Sequence, residues 1–408
     1  MADDIVIKPL ITESSTSEST AVAVVMDDLK EGTLRIPDYQ RDTNQWDDAT
    51  KSLFIESIIN NLTIPAFFFE VKQENGIEIN EVIDGQQRLT TLDDYFQNRF
   101  ALVKSDDAAY LSPNSMHYAD KKFGGLPHAY QQAFKKYRLT IIKLRQLGNM
   151  KLEIFRRINQ GGTPLSGQDI RLAYYGDASP AVAFIRLAGI YDVERPGSKR
   201  FIKSANEVYK LEHPWKDPAL DTWKEWWGDK EIARGQIASE SFLLSIVVAN
   251  HTQLDQLLSN SGALSKLNIR FSGSMDEALD ACIAQFQYQD RNPGFPSHLT
   301  SLQELTSEFF PYYSKWIEML LNRQAPNLPV SKHRMVSQVI GAAYSQKIDI
   351  KKISKKSWDK LVDFIRRPQD GAKVADIDWP SSKGRWDGRK GYKAQFNAIH
   401  LIVKKFCG

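Results

Sequence analysis

Ile83-Asp84-Gly85-Gln86-Gln87-Arg88-Leu89-Thr90-Thr91 is the stretch whose reading decides the fold. A β-branched run, residues 77–83, leads into it, and Leu89, Leu92, Phe96 and Phe100 follow at helical spacing. That change of period predicts a strand–turn–helix junction, with Gly85 free to take the turn. Backbone N–H groups at the start of a helix point outward and form a natural seat for phosphate. Arg88 adds a rigid guanidinium fork, and Asp84 adds a carboxylate able to hold a metal ion or orient water. A polar turn between strand and helix is common, so the rest of the chain must supply the support.

Upstream, residues 21–31 form a short helix ended by Gly32. Residues 34–41 read as a brief strand that Pro37 stops and that opens into Tyr39-Gln40-Arg41, with Trp46 beyond. Residues 47–61 carry Leu53, Phe54, Ile58 and Leu62 at amphipathic helical spacing. Residues 64–71 read as a buried strand, and Asn75-Gly76 is a hairpin turn into the next strand, which delivers Asp84. Downstream, residues 101–137 are irregular, residues 139–144 read as a strand, and residues 151–158 are helical. That helix runs into Asn159-Gln160-Gly161-Gly162, after which Ser166 and Asp169 form a capping pair that starts a new helix. From residue 176 onward helical periods dominate. There Trp215, Trp223, Trp226 and Trp227 are expected to pack a helical core.

These readings predict a disordered tail over 1–20, an α/β domain with a small mixed sheet over 21–175, a helical domain over 176–330, and a basic, mostly helical region over 331–408. The fold class is therefore an α/β N-terminal domain followed by a mostly α-helical C-terminal region.

The 408 residues are 42% hydrophobic and 25% charged, the composition of an ordinary globular protein. No apolar run approaches the roughly 20 residues that span a bilayer. The acidic, Ser/Thr-rich start is neither a signal nor a transit peptide. Cys282 and Cys407 give no disulfide framework, so a reducing cytoplasm is expected. Charge is unevenly spread: residues 1–100 hold 8 Lys/Arg against 19 Asp/Glu, and residues 331–408 hold 18 against 7. The C-terminal part thus suits a polyanion, and in the acidic N-terminal part Arg41 and Arg88 suit one compact anion.

Tyr39-Gln40-Arg41, Asp84-Gly85-Gln86-Gln87-Arg88 and Asn159-Gln160-Gly161-Gly162 all lie at element ends, where a small α/β domain can gather loops on one face. Together they supply guanidiniums for phosphates, glycines for close backbone approach and amides for base or ribose edges. With no His or Cys among them, covalent catalysis is poorly served, and hydrolysis would need Asp84 to act through a metal or a positioned water.

Ile36-Pro37-x-Tyr39-Gln40-Arg41 with Trp46, then Ile83 to Thr91, then Phe155-x-x-Ile158-Asn159-x-x-Gly162-x-Pro164-Leu165-Ser166 resemble, in order, the N-terminal domain of GmrSD-type restriction systems, over about residues 22–175. That family resembles the ParB/sulfiredoxin fold. The resemblance implies an NTP-binding, NTP-hydrolysing module that uses Mg²⁺ in defence against modified or foreign DNA. Carried over by position, it implies catalytic roles for Asp84, Gln87 and Arg88. It implies nucleotide contacts from Tyr39, Gln40, Arg41, Gly85, Gln86, Arg88, Asn159, Gly161 and Gly162, and metal contacts from Asp84 and Asn159, with Glu153 a weaker assistant. Fused members carry an HNH nuclease with an Asp-His-x-x-Pro stretch, which is not found here; His333 and His400 are isolated. The expectation is a stand-alone sensor or regulatory subunit whose nuclease effector is either absent or separately encoded.

Two rivals stand beside this reading. Asp38 with Glu70 and Lys72 spells a degenerate PD-(D/E)xK nuclease pattern, better explained as solvated strand-end residues. Alternatively, the chain is a non-hydrolysing switch that binds nucleotide or DNA, with DNA contacts from Lys351, Lys352, Lys355 and Lys356, and from Lys383, Arg385, Trp386, Arg389, Lys390 and Lys393.

Overall fold

The computed structural model describes residues 15–36, 46–105, 107–145, 154, 157–158, 167–175, 179–190, 196–212, 236–267, 269, 274–293, 300–324, 330–366, 373–380 and 389–408. They fall into two compact units, Met1–Pro164 and Leu165–Gly408.

The first unit is a mixed five-stranded sheet with helices. In chain order it contains β1 (Ser15–Ala21), α1 (Val22–Glu31), β2 (Leu34–Arg35), α2 (Asp48–Ile59), β3 (Phe67–Glu74), β4 (Ile77–Asp84), α3 (Gln86–Phe96), α4 (His128–Lys136) and β5 (Arg138–Leu144). The sheet order is β1-β5-β3-β4-β2. Strand β3 pairs antiparallel with β4 and parallel with β5, while β2 runs parallel to β4. The β3–β4 hairpin turns on Asn75 at φ 51° and Gly76 at φ 81°, two successive left-handed residues that match the strand twist. Helix α1 ends at Gly32, whose φ of 80° closes it in the left-handed conformation. Alternate β3 and β5 residues, Phe67, Phe69, Leu139 and Ile141, join Val25, Ile55, Ile58, Leu89, Leu92 and Phe134 from the helices in one core.

Several expectations change. Residues 15–20 are not a tail: they belong to β1, which pairs with β5 from Ser15↔Leu144 to Ala21↔Arg138. An edge strand with exposed side chains has low hydrophobicity, so its composition imitates disorder. Within the irregular stretch 101–137 lies α4, whose inward anchor is the fully buried Phe134. Leu62 is 37% exposed, and α2 instead buries Phe54, Ile55, Ile58 and Ile59. Glu70 and Lys72 are not solvated strand ends. Lys72 is paired with Glu81 across the hairpin and reaches Glu70 at 4.0 Å.

Buried Glu56 on α2 shapes the irregular loop. Its carboxylate accepts from the backbone of Leu111 (3.1 Å) and Ser112 (3.0 Å) and from the Tyr118 hydroxyl (2.6 Å). A buried charge is tolerated because several donors converge on it.

The second unit is helical: α5 (Gly167–Tyr175), α6 (Pro180–Leu187), α7 (Pro196–Tyr209), α8 (Gln236–Ala249), α9 (His251–Leu258), α10 (Ser261–Lys266), α11 (Met275–Arg291), α12 (Phe310–Gln324), α13 (His333–Ser345), α14 (Lys355–Arg366) and α15 (Arg389–Cys407), with a two-stranded hairpin, Lys373–Val374 and Ile377–Asp378. Helix α13 is apolar and small along its buried face. Gly341 lies so close to α8 that an added Cβ would sit 2.3 Å from the Ser245 carbonyl oxygen. Helix α5, which the sequence grouped with the first domain, packs into this unit through Arg171. That fully buried guanidinium reaches Asp280 (2.8 Å), Asp276 (2.7 Å) and Gln168 (3.1 Å), with Glu240 at 3.6 Å. Trp215, Trp223, Trp226 and Trp227 lie outside the described residues. His400 sits on α15, whose Phe396, Ile399, Ile402 and Val403 face the core, as the amphipathic reading expects. No described helix is long and apolar enough to cross a membrane.

Replacing Arg171 with alanine leaves Asp280 buried and uncompensated, a loss of about 3–5 kcal/mol. Urea unfolding of the Arg171→Ala chain should show a clear fall in the midpoint of the helical unit. An unchanged midpoint would show that the cluster contributes nothing.

Candidate functional site

The junction predicted at residues 83–91 forms as read. Strand β4 ends at Asp84, Gly85 takes φ 96°, and α3 begins at Gln86. Two constraints fix glycine at position 85. Its backbone is left-handed, and an added Cβ would lie 2.5 Å from the Phe67 ring and 3.1 Å from the Arg88 guanidinium. The missing side chain therefore makes room for packing beneath the turn. Just before the turn the β3–β4 register slips: Phe68 opposes Asp84 while Phe69 opposes Val82. Ile83 is thus an extra residue in β4, a bulge that re-aims the end of the strand, as bulges beside functional sites do.

Arg88, in the first turn of α3, is 9% exposed. One terminal nitrogen donates to the Pro65 carbonyl; the other donates to the Ala66 carbonyl (3.1 Å) and to Asp84 Oδ2 (2.9 Å). The guanidinium carbon stands 4.6 Å from the Phe67 ring centroid. Both terminal nitrogens are engaged by the protein, so Arg88 acts as a positioning residue that fixes the carboxylate of Asp84. That carboxylate, 32% exposed, also takes a hydrogen bond from the Gly85 backbone. Burial lifts the Asp84 pKa above the ordinary carboxylate value, and the Arg88 charge and the two hydrogen bonds offset this only in part. Burial likewise lowers the pKa of Arg88 from its ordinary value, against the pull of Asp84. The outcome is a half-open carboxylate, held in place at a helix N-terminus, whose charge the site tolerates poorly unless something cationic meets it.

Gln87 is half-buried on the same turn, and Gln86 is buried. Asp84, Gly85, Gln86, Gln87 and Arg88 are therefore brought together. Tyr39, Gln40, Arg41, Asn159, Gly161, Gly162, Glu153 and Asp38 lie outside the described residues. The topology still bears on where their stretches start. Because β2 is parallel to β4, Ile36 leaves the sheet at the same edge as Asp84. Trp46, packed edge-on against Phe54 at 5.3 Å, fixes the far end of that stretch. Strand β5 ends at the opposite edge, where Arg145 pairs with Glu78 at 3.0 Å. The chain must recross the sheet after β5 for the Asn159 stretch to reach Asp84.

Sequence reasoning missed the cradle of Arg88. Pro65 and Ala66 contribute only carbonyls, which carry no residue-type signal, and Phe67 reads simply as core. Among the residues assigned to DNA, Lys393 is bound to Asp255 on α9 at 2.8 Å, so its charge ties α15 to α9. Arg389 and Lys390 open α15. Their side chains, like residues Lys383, Arg385 and Trp386, lie outside what the structure describes.

Two measurements follow. Arg88→Ala strands two carbonyls and a half-buried carboxylate and should cost about 3–5 kcal/mol; Arg88→Lys, lacking the fork, should recover less than half of that in chemical denaturation. Because the folded pKa of Asp84 is raised, folding favours its protonated form, and its ionisation costs stability as pH rises from about 4 through the folded value. Wild type should therefore gain in melting temperature relative to Asp84→Asn as pH is lowered through that window. A pH-independent difference would contradict the buried-charge account.

Comparison with known proteins agrees with the motif reading. No curated protein and no solved structure matches the chain. Residues 22–176 match the family described as GmrSD restriction endonuclease, N-terminal domain, a span from the first residue of α1 to just beyond α5. With Asp84, Gly85 and Arg88 assembled at its strand–helix junction, the matched span of residues 22–176 is similar to a GmrSD-type restriction-system N-terminal domain.

Proposed function

We propose that this domain binds a nucleoside triphosphate with Mg²⁺ and hydrolyses it, as the sensor or regulatory part of a restriction or anti-phage defence system that works with a nuclease subunit. We take its mixed sheet as a ParB/sulfiredoxin-like scaffold. The observation that carries the reading is the Asp84 carboxylate, held by Arg88 at the N-terminus of α3 and raised in pKa by burial. The donor set fits the metal: one half-open carboxylate is what Mg²⁺ takes from a protein when phosphate oxygens and water complete its shell. When bound, Mg²⁺ offsets the negative charge of the phosphates. In this reading Asp84 holds the ion or places the attacking water, and Arg88 keeps the carboxylate aimed. Gln87 orients the nucleotide or the water, Gln86 supports the turn, and Tyr39, Gln40, Arg41, Asn159, Gly161 and Gly162 supply the remaining contacts to phosphate, ribose and base. Arg41, rather than Arg88, is then the principal phosphate cation.

Phosphate release should be measured with each of the four NTPs and Mg²⁺, with and without DNA. Asp84→Ala should lower turnover at least roughly 100-fold, while circular dichroism shows the variant still folded. Turnover unaffected by Asp84→Ala, or neither turnover nor nucleotide binding by calorimetry, would overturn the assignment.

A second reading, DNA binding without turnover, is favoured by one observation: Lys351, Lys352, Lys355 and Lys356 are all exposed around the start of α14. If these lysines meet phosphates, affinity should fall with salt at a log–log slope near −0.9 per contact. Reversing all four to glutamate should flatten that slope.

A further inference from the structure

The helical unit holds a cavity of about 980 Å³, lined by none of the residues assigned above. Its walls are the start of α9, the chain from Thr300 into α12, and the end of α13. The middle wall is unusual. A turn Leu302–Glu304 passes into one π-helical turn, Leu305–Phe309, before α12 begins. Such turns are rare and cluster at functional sites. Here the π-turn lies between Glu304 and Tyr312, and Glu304, Glu308 and Tyr312 all line the cavity.

The hydrogens of the lining groups decide what the cavity can hold. The Tyr344 hydroxyl donates to Glu304 Oε1 (2.9 Å), the Tyr312 hydroxyl to the Ile348 carbonyl (2.9 Å), and the Ser345 hydroxyl to the Ala342 carbonyl (2.9 Å). The Asn250 amide donates to the Ile246 carbonyl (2.9 Å) and to Thr300 (2.9 Å). Each of these hydrogens is taken by an acceptor of the protein itself, so what these groups can still offer a ligand is oxygen lone pairs. Glu308 is exposed, and Glu304 keeps its second oxygen. Burial holds His251 below its ordinary value, which keeps its ring neutral near pH 7. Among the described residues, Lys347, exposed, is the one lysine or arginine on the wall. Aromatic faces are at hand: Tyr344 packs at 5.3 Å from Tyr312 and 4.5 Å from Phe309. Thr252, Gln253 and Thr300 add neutral donors and Lys347 one cation, but two carboxylates leave the wall with net negative charge beside the rings of Tyr312 and Tyr344. Such a wall matches a ligand that carries positive charge and several N–H groups on an apolar stem.

We propose that this cavity is a binding site for a free aliphatic polyamine, its ammonium groups on Glu304 and Glu308 and its methylene chain along Tyr312 and Tyr344. The site is independent of the nucleotide reading.

The test is calorimetric titration of the full chain with spermidine at fixed ionic strength, beside butane-1,4-diol, Mg²⁺ and Nα-acetyl-lysine amide. Wild type should bind spermidine saturably at one site and ignore the diol. Glu308→Gln should weaken binding at least tenfold, and Glu304→Gln with Glu308→Gln should abolish it. Glu304→Gln keeps an oxygen for the Tyr344 hydroxyl, so an unchanged ligand-free melting temperature would confirm that the fold survives. Any of three results would overturn the proposal: no saturable spermidine binding, equal binding by the double variant, or equal competition by Mg²⁺, which would mean a diffuse counterion effect. Binding of the lysine amide without spermidine would also overturn it, by assigning the carboxylates to a protein side chain.

Discussion

A buried guanidinium organises the first unit. Arg88 is almost fully removed from water, which is tolerable only because two carbonyls, one carboxylate and an aromatic face receive it. Those partners come from three places: the chain entering β3, the end of β4, and the face of Phe67. One side chain thereby joins the strand that begins, the strand that ends and the helix that follows. Gly85 is a consequence of the same demand, since the guanidinium and the Phe67 ring occupy the space a side chain at position 85 would need.

The second unit solves a similar problem differently, and the contrast is informative. Around Arg171 the carboxylate of Asp280 is 5% exposed and the guanidinium is sealed, so the charges satisfy one another with no room for anything else. At Arg88 the carboxylate of Asp84 is 32% exposed, and its burial cost is left only partly offset. The first arrangement holds helices together. The second leaves a partly open carboxylate whose protonated form is favoured by burial.

Much of this was legible in the sequence because it follows from period and turn chemistry. The Asn75-Gly76 hairpin, the stop at Gly32, and the passage from alternation through 83 to helical spacing from 89 are local signals, and the sheet and α3 formed on them. Strand β1 was not legible: its residues are polar because they lie on a sheet edge, and only the ladder to β5, more than a hundred residues away, makes them a strand. Helix α4 was hidden because a single deep anchor, Phe134, sets no period. At the site, residue types announced Asp84 and Arg88 as a pair with chemistry. They could not announce that Arg88 faces inward, because the carbonyls it binds belong to residues of any type. The lysines near the C-terminus illustrate the same limit. Composition counts Lys393 as a free cation, whereas the fold has given it to Asp255.

The π-turn at Leu305–Phe309 has a consequence for how this chain tolerates insertion and deletion. Such a turn contains one residue more than an α-turn, so removing any one residue from it would restore an ordinary helix at little backbone cost. A deletion between Glu304 and Glu308 would leave these two at the i,i+3 spacing and Glu304 and Tyr312 at the i,i+7 spacing, which share one face of an α-helix. The wall would keep its side of the helix, but the two carboxylates would stand closer along the axis. In this segment residue count therefore sets the spacing of the wall groups, while residue identity sets their chemistry.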